Sequence, residues 1–163
     1  MSEQSEVEIV GPGAESAEVQ DAVLRATAEL GLSSRITRSS NDPGPGGVSD
    51  WVDSLTVFLA APAGIFFTKF LQMSAEDAHK QMKRWTEGLF ERLRHASGTD
   101  KVTLQVQNLS LFYEEEGLPD EAYRQLIDIL RENPRLDVWL TWDVPRNDEG
   151  RPYAGVPARW NFR

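Results

Sequence analysis

The feature that most constrains this chain is a run of fifteen consecutive uncharged residues, from Ser54 to Thr68. Asp53 and Lys69 bracket the run, and Pro62 and Gly64 interrupt it. A helix needs about 20 apolar residues to span a bilayer, so the run is too short for a membrane-spanning helix. It therefore predicts a buried pair of helices, or one kinked helix, in the core of a water-soluble fold.

The alternative interpretation of this run is contact with a membrane, either by insertion or by lying in the interface. The inserted side chains would then be the large apolar ones, namely Phe58, Ile65, Phe66, Phe67 and Phe70. These five residues are predicted to form either a buried apolar helix or a membrane-contacting surface within the segment 54–71.

Patterning predicts a strand–helix–strand unit before the uncharged run. Residues 6–10 alternate polar and apolar and then meet Gly11-Pro12-Gly13, which is typical of a strand that ends in a turn. Apolar residues at helical spacing predict a helix over 19–30, and a second strand is predicted over 34–39. This order is the ingredient of a βαβ unit.

A second set of alternating elements follows the run. Ser74 is a suitable N-cap for the first helix of this set. The predicted elements are a helix over 75–96, a strand over 101–106, a helix over 119–132, a strand over 136–144 and an edge strand over 156–162.

Together these elements predict one α+β or α/β domain over residues 1–163. Its mixed sheet is expected to have about five strands, built from two βαβ-like halves with an inserted helical pair. A ferredoxin-like arrangement is one topology that fits this order. Residues 1–5 are predicted to be a disordered N-terminus and residues 41–47 a loop rich in proline and glycine.

Composition excludes several classes of function. The chain has no cysteine, which rules out disulfides and thiolate metal sites. The polar, acidic N-terminus lacks the features of a secretion signal, so a cytoplasmic location is expected. A net charge of −9 argues against a nucleic-acid partner. Basic residues in the 75–96 helix are interleaved with acidic ones and are predicted to form a solvated face; they are Lys80, Lys83, Arg84, Arg92 and Arg94.

No arrangement of residues predicts catalysis, a cofactor or a metal. Gly11-Pro12-Gly13 could hold a phosphate after a strand, but proline removes a backbone donor and a tight turn is favoured. Glu114–Glu116 could help to bind a divalent cation, although consecutive side chains point in different directions. His79 and His95 are sixteen residues apart on one predicted helix, about 24 Å, and both are expected on the surface.

The tryptophans give the clearest sequence evidence for a binding surface. Trp85 and Trp142 lie on apolar faces and are predicted to be core. Trp139 lies on the opposite face of its strand, so it is core if helices cover that face and an exposed interface anchor if they do not. Trp160 has the same two interpretations. The candidate protein-interaction residues are therefore Trp139, Trp160, Asp137 and Asp143.

The chain also resembles a known family over residues 6–107. The matching features are the strand and helix of 7–30, the strand at Ile36, the Pro/Gly loop 42–47, the Gly-containing apolar helix 55–71 and the Thr-rich strand 101–106. In order and pattern these resemble the effector-associated constant component, a family of small bacterial domains encoded beside effectors in predicted conflict or defence systems. The resemblance implies a non-enzymatic adaptor or regulatory subunit and transfers no catalytic residues.

These observations favour a non-enzymatic module that binds a protein partner or a second copy of itself. Two alternatives remain. One is a small ligand-binding domain or enzyme with a pocket near Gly11–Gly13 and Glu114–Glu116. The other is a membrane-associating effector that uses the segment 54–71.

Overall fold

The computed structural model describes residues 5–40, 54–113, 118–136, 138–143, 148–149, 151 and 159–162, apart from the side chains of Phe112, Tyr113 and Asp143. The strands in these ranges are β1 (Ser5–Val10), β2 (Ser34–Ser40), β3 (Ser54–Leu59), β4 (Lys101–Val106), β5 (Leu109–Tyr113), β6 (Leu140–Asp143) and β7 (Arg159–Phe162). The helices there are α1 (Ala17–Glu29), α2 (Ala63–Phe66), α3 (Thr68–Leu71), α4 (Ala75–Ser97) and α5 (Asp120–Glu132).

The strands form one mixed seven-stranded sheet in the order β2-β1-β3-β4-β5-β6-β7. The pairs β1/β2, β3/β4 and β5/β6 are parallel, and antiparallel pairing joins these three units into one sheet. The predicted mixed α/β class is confirmed, with seven strands where about five were expected. Because β1 and β2 are direct neighbours, the sheet lacks the split βαβ unit of a ferredoxin-like topology.

The first part of the uncharged run is a strand, so the prediction of a helical pair over 54–71 was wrong for residues 54–59. β3 lies inside the sheet, between β1 and β4. Leu55, Val57 and Leu59 are buried on one face of β3, whereas Ser54 and Phe58 on the other face are half-buried. The apolar Phe58 therefore interrupts the polar–apolar alternation of this strand in the sequence. The run then turns into the short helices α2 and α3.

The helices pack against one another and cover one face of the sheet. On β4, Val102, Leu104 and Val106 are buried under this helical layer, whereas Thr103 and Gln105 between them are half-buried. α4 lies in the middle of the layer, in contact with α1, α3 and α5. Ser74 caps α4 by accepting a hydrogen bond from the Asp77 amide, as its position predicted.

Three of the five candidate membrane residues belong to an aromatic cluster in the core. Phe66, Phe67 and Phe70 are buried, and their ring centroids lie 5.6, 5.8 and 6.4 Å from that of Trp85. Phe58 is half-buried on β3, and Ile65 is 50% exposed. None of the helices in the described ranges combines the length and the apolar character that a membrane-spanning helix requires.

Candidate functional site

The structure separates the two tryptophans that the sequence left ambiguous. Trp139 lies just before β6 and is 46% exposed. Trp160 is only 5% exposed: its indole N–H donates to the Ala122 carbonyl at 2.8 Å, and its ring packs edge-on against Trp142. Trp160 therefore belongs to the core and not to an exposed interaction surface. Asp137 and the side chain of Asp143 lie outside the described residues.

The glycine-rich turn after β1 has a packing role. Gly11 has a φ of 120°, and a Cβ added there would lie 2.1 Å from the carbonyl oxygen of Ser54. The backbone of β3 therefore packs directly against Gly11, and a side chain at this position would not fit. Glu114–Glu116, the other half of the expected pocket, lie outside the described residues.

The two histidines occupy different environments. His95 is exposed, as expected, but the prediction for His79 was wrong because its side chain is only 3% exposed. α4 packs against α5 as well as α1, so a wider face of this helix is buried than its apolar stripe indicates. Over the residues that can be described, His, Asp and Glu side chains nowhere gather in a group of three that could hold a metal ion.

A groove of about 350 Å³ opens on the outer side of the helical layer, between the end of α1, α3 and the middle of α4. We call it the α4 groove. Its floor is apolar and consists of Ala26, Leu30, Phe70, Met73, Trp85 and Leu89. Its rim consists of Glu29, Lys69, Gln81, Arg84, Gly88 and Arg92. The volume falls in the range of about 300–1,000 Å³ that is typical of ligand pockets.

The floor of the groove is held by contacts that exist without any ligand. The Trp85 indole N–H donates to the Ala26 carbonyl at 2.9 Å, so the only polar atom of this side chain is satisfied inside the protein. Phe70 and Trp85 belong to the aromatic cluster described above. Because all five floor residues other than Met73 are buried, the apolar surface is fixed in place before binding.

Basic side chains dominate the rim. Lys69 donates to the backbone carbonyl of Glu29 at 2.8 Å, and its ammonium group has no carboxylate partner within 4.0 Å among the described residues. The carboxylate of Glu29 instead pairs with Arg92 at 3.6 Å. Arg84 is exposed, and the described residues provide it with no ion pair within 4.0 Å. The groove is thus locally positive on a chain whose net charge is −9.

The other basic residues of α4 are engaged elsewhere. Lys80 pairs with Glu76 and Lys83 with Asp120, while Arg94 pairs with Asp100. The hydrogen bond from Lys83 lowers the pKa of the Asp120 carboxyl below its usual value. Two residues of the predicted solvated face, Arg84 and Arg92, therefore line the groove, and Arg92 is the one of them that pairs with a carboxylate.

Gly88 leaves the middle of the groove open. A Cβ added to this glycine would meet nothing within 4 Å. Gln81 and Arg92 mark the two ends of the lining on α4, and their separation of eleven positions in the sequence corresponds to about 16 Å along the helix axis. The groove is long enough for about five residues of extended chain or three turns of a helix.

Comparisons with known proteins identify no family for this chain. No family model, curated protein or solved structure matches it.

Sequence reasoning missed the α4 groove because its lining comes from three separate elements. One local signal was present: Gly88 stands in the middle of a 23-residue helix, where glycine costs about 1 kcal/mol relative to alanine. The groove residues of α4 also recur at helical spacing: 81, 84, 85, 88, 89 and 92.

Proposed function

We propose that this chain is a protein-interaction module and that the α4 groove receives a segment of its partner. The single observation that carries the proposal is a groove of about 350 Å³ with an apolar floor, lined along about 16 Å of α4 and bordered by basic side chains. Concave apolar surfaces with a few fixed polar groups are the usual form of binding sites.

The chemistry of the lining favours binding over catalysis. The twelve lining residues include one carboxylate, that of Glu29, and it already pairs with Arg92. Among its described residues, the lining has no serine, threonine or histidine that could act as a nucleophile or base. We therefore assign the groove to a non-enzymatic role.

The resemblance of residues 6–107 to the effector-associated constant component family supports a more specific form of this proposal. In that form, the chain is an adaptor or regulatory subunit of a bacterial multi-protein system, for example a defence system. The groove would connect this subunit to the protein it regulates, or to a second copy of itself.

Photo-crosslinking from two exposed positions tests the proposal. p-Benzoylphenylalanine replaces Gln81 at the rim of the groove in one protein and Trp139 near β6 in another. In cells of the native organism, we expect a crosslinked protein from position 81, identified by mass spectrometry as a partner or a second copy.

The blocking variant Gly88→Leu provides the decisive comparison. Nothing lies within 4 Å of a Cβ at this position, so leucine is expected to fill the groove without disturbing the fold. The position 81 crosslink should disappear in this background while the melting temperature is retained. If the crosslink persists in folded Gly88→Leu, or if only position 139 gives a crosslink, the groove is not the binding surface.

A further inference from the structure

We infer that the occupant of the α4 groove is a short acidic peptide segment that carries one large apolar anchor residue. This inference rests on the proposed function and names the chemistry of the partner.

The positive charge of the groove favours an acidic ligand. Of the four charged lining residues, Glu29 and Arg92 compensate each other, whereas Lys69 and Arg84 keep their positive charge. The acidic residues of α4 do not line the groove. Carboxylates on a ligand would therefore gain attraction at the rim, whereas a basic ligand would face two uncompensated cations.

The open space above Gly88 favours a ligand that carries one large apolar side chain. It is bordered on α4 by Trp85 and Leu89, and Phe70 of α3 lies against Trp85. A volume of about 350 Å³ corresponds to on the order of ten water molecules at bulk density. An aromatic or large aliphatic side chain of the ligand would displace part of this water and bury its own apolar surface against the floor, which favours binding.

The shape and length of the groove favour a peptide over a lipid surface or a nucleic acid. A bilayer surface is flat on this scale and cannot follow a concave floor. Nucleic acids require a basic track that neutralises several phosphates, and the lining offers three basic residues and one acidic one. A peptide of about five extended residues, or up to three helical turns, matches the distance between Gln81 and Arg92.

Selection from a displayed library of random 12-residue peptides tests the inference. The intact wild-type chain is the target, and folded Gly88→Leu is used for counter-selection. We expect enrichment of peptides that contain two or more Asp or Glu residues around one Trp, Phe, Leu or Met. Enrichment of basic or uncharged peptides, or stronger binding by a single-stranded oligonucleotide or anionic vesicles, would overturn the inference.

A matched pair of charge reversals on α4 then locates the interaction. Arg84→Glu changes a rim residue, and Lys80→Glu makes a similar change at an exposed position outside the groove. For a synthesised selected peptide, isothermal titration calorimetry is expected to show about tenfold weaker binding for Arg84→Glu and less than about twofold for Lys80→Glu. Equal weakening by both variants would mean that net charge, and not the rim, attracts the peptide.

The two levels of the proposal fail in different ways. If the library yields no peptide while the position 81 crosslink is present and sensitive to Gly88→Leu, the acidic-peptide inference is overturned and the interaction module stands. If that crosslink is also absent, both are overturned.

Discussion

Two glycines in helices are expected to respond to alanine in opposite directions. Gly88 lies in the middle of α4, where a Cβ would meet nothing within 4 Å. Gly64 lies in α2, where a Cβ would lie 2.3 Å from the Cα of Pro134 and 2.4 Å from its carbonyl oxygen. The Gly64 amide also donates to that carbonyl at 2.8 Å, so α2 is tied closely to the segment after α5.

The magnitudes follow from these contacts. Gly88→Ala is expected to raise the free energy of unfolding by about 0.5–1 kcal/mol, because alanine loses less backbone entropy in a helix and no contact opposes it. In a chain of this size, 1 kcal/mol corresponds to about 2–4 °C in melting temperature. Gly64→Ala must displace backbone atoms, so it is expected to lower the free energy of unfolding by about 1–3 kcal/mol.

Urea denaturation followed by tryptophan fluorescence measures both effects, with an unchanged m-value as evidence that the unfolding reaction is the same. The reasoning would be refuted if Gly88→Ala destabilised the protein, because the space above this residue would then be occupied. It would also be refuted if Gly64→Ala were neutral, because α2 would then not be in contact with Pro134.

Three further predictions concern buried and paired side chains. The hydroxyl of Thr86 is fully buried and has no hydrogen-bond partner among the described residues. Thr86→Val is therefore expected to raise the free energy of unfolding by about 1 kcal/mol, measured by urea titration. A clear decrease in the free energy of unfolding would show that the hydroxyl is hydrogen-bonded. The pKa of Asp120 is lowered by its hydrogen bond from Lys83. The pair therefore stabilises the folded protein at pH values above the ordinary aspartate pKa, and this stabilisation is lost as the pH falls through the lowered pKa. Wild type should therefore melt above Asp120→Asn near neutral pH, with a difference that vanishes in acid; a difference independent of pH would contradict this. Trp160→Phe removes a buried indole hydrogen bond and is expected to lower the free energy of unfolding by about 1–3 kcal/mol. Trp139→Phe, at an exposed site, should change it by less than about 0.5 kcal/mol. Equal effects of the two variants would contradict the assignment of Trp160 to the core.

Local patterns were sufficient for the elements that carry their own signal. α4 has an apolar stripe, Ser74 as its N-cap and Gly98 in the left-handed conformation at its end, and it was predicted to within one residue. β4 was predicted with its bounds because its apolar and polar residues alternate. In both cases one face is buried and the other is more accessible, so the periodicity of the sequence reports the geometry directly.

The sequence by itself therefore determined the mixed α/β class and most of the helices and strands. Only tertiary structure decided that residues 54–59 form an interior strand, because Phe58 interrupts the alternation and a short uncharged run does not by itself distinguish a strand from a buried helix. The same holds for the burial of His79 and Trp160, which depends on packing against α5. The α4 groove is also a tertiary feature, since Lys69, Arg84 and Trp85 come to line one groove only when α3 and α4 meet the end of α1.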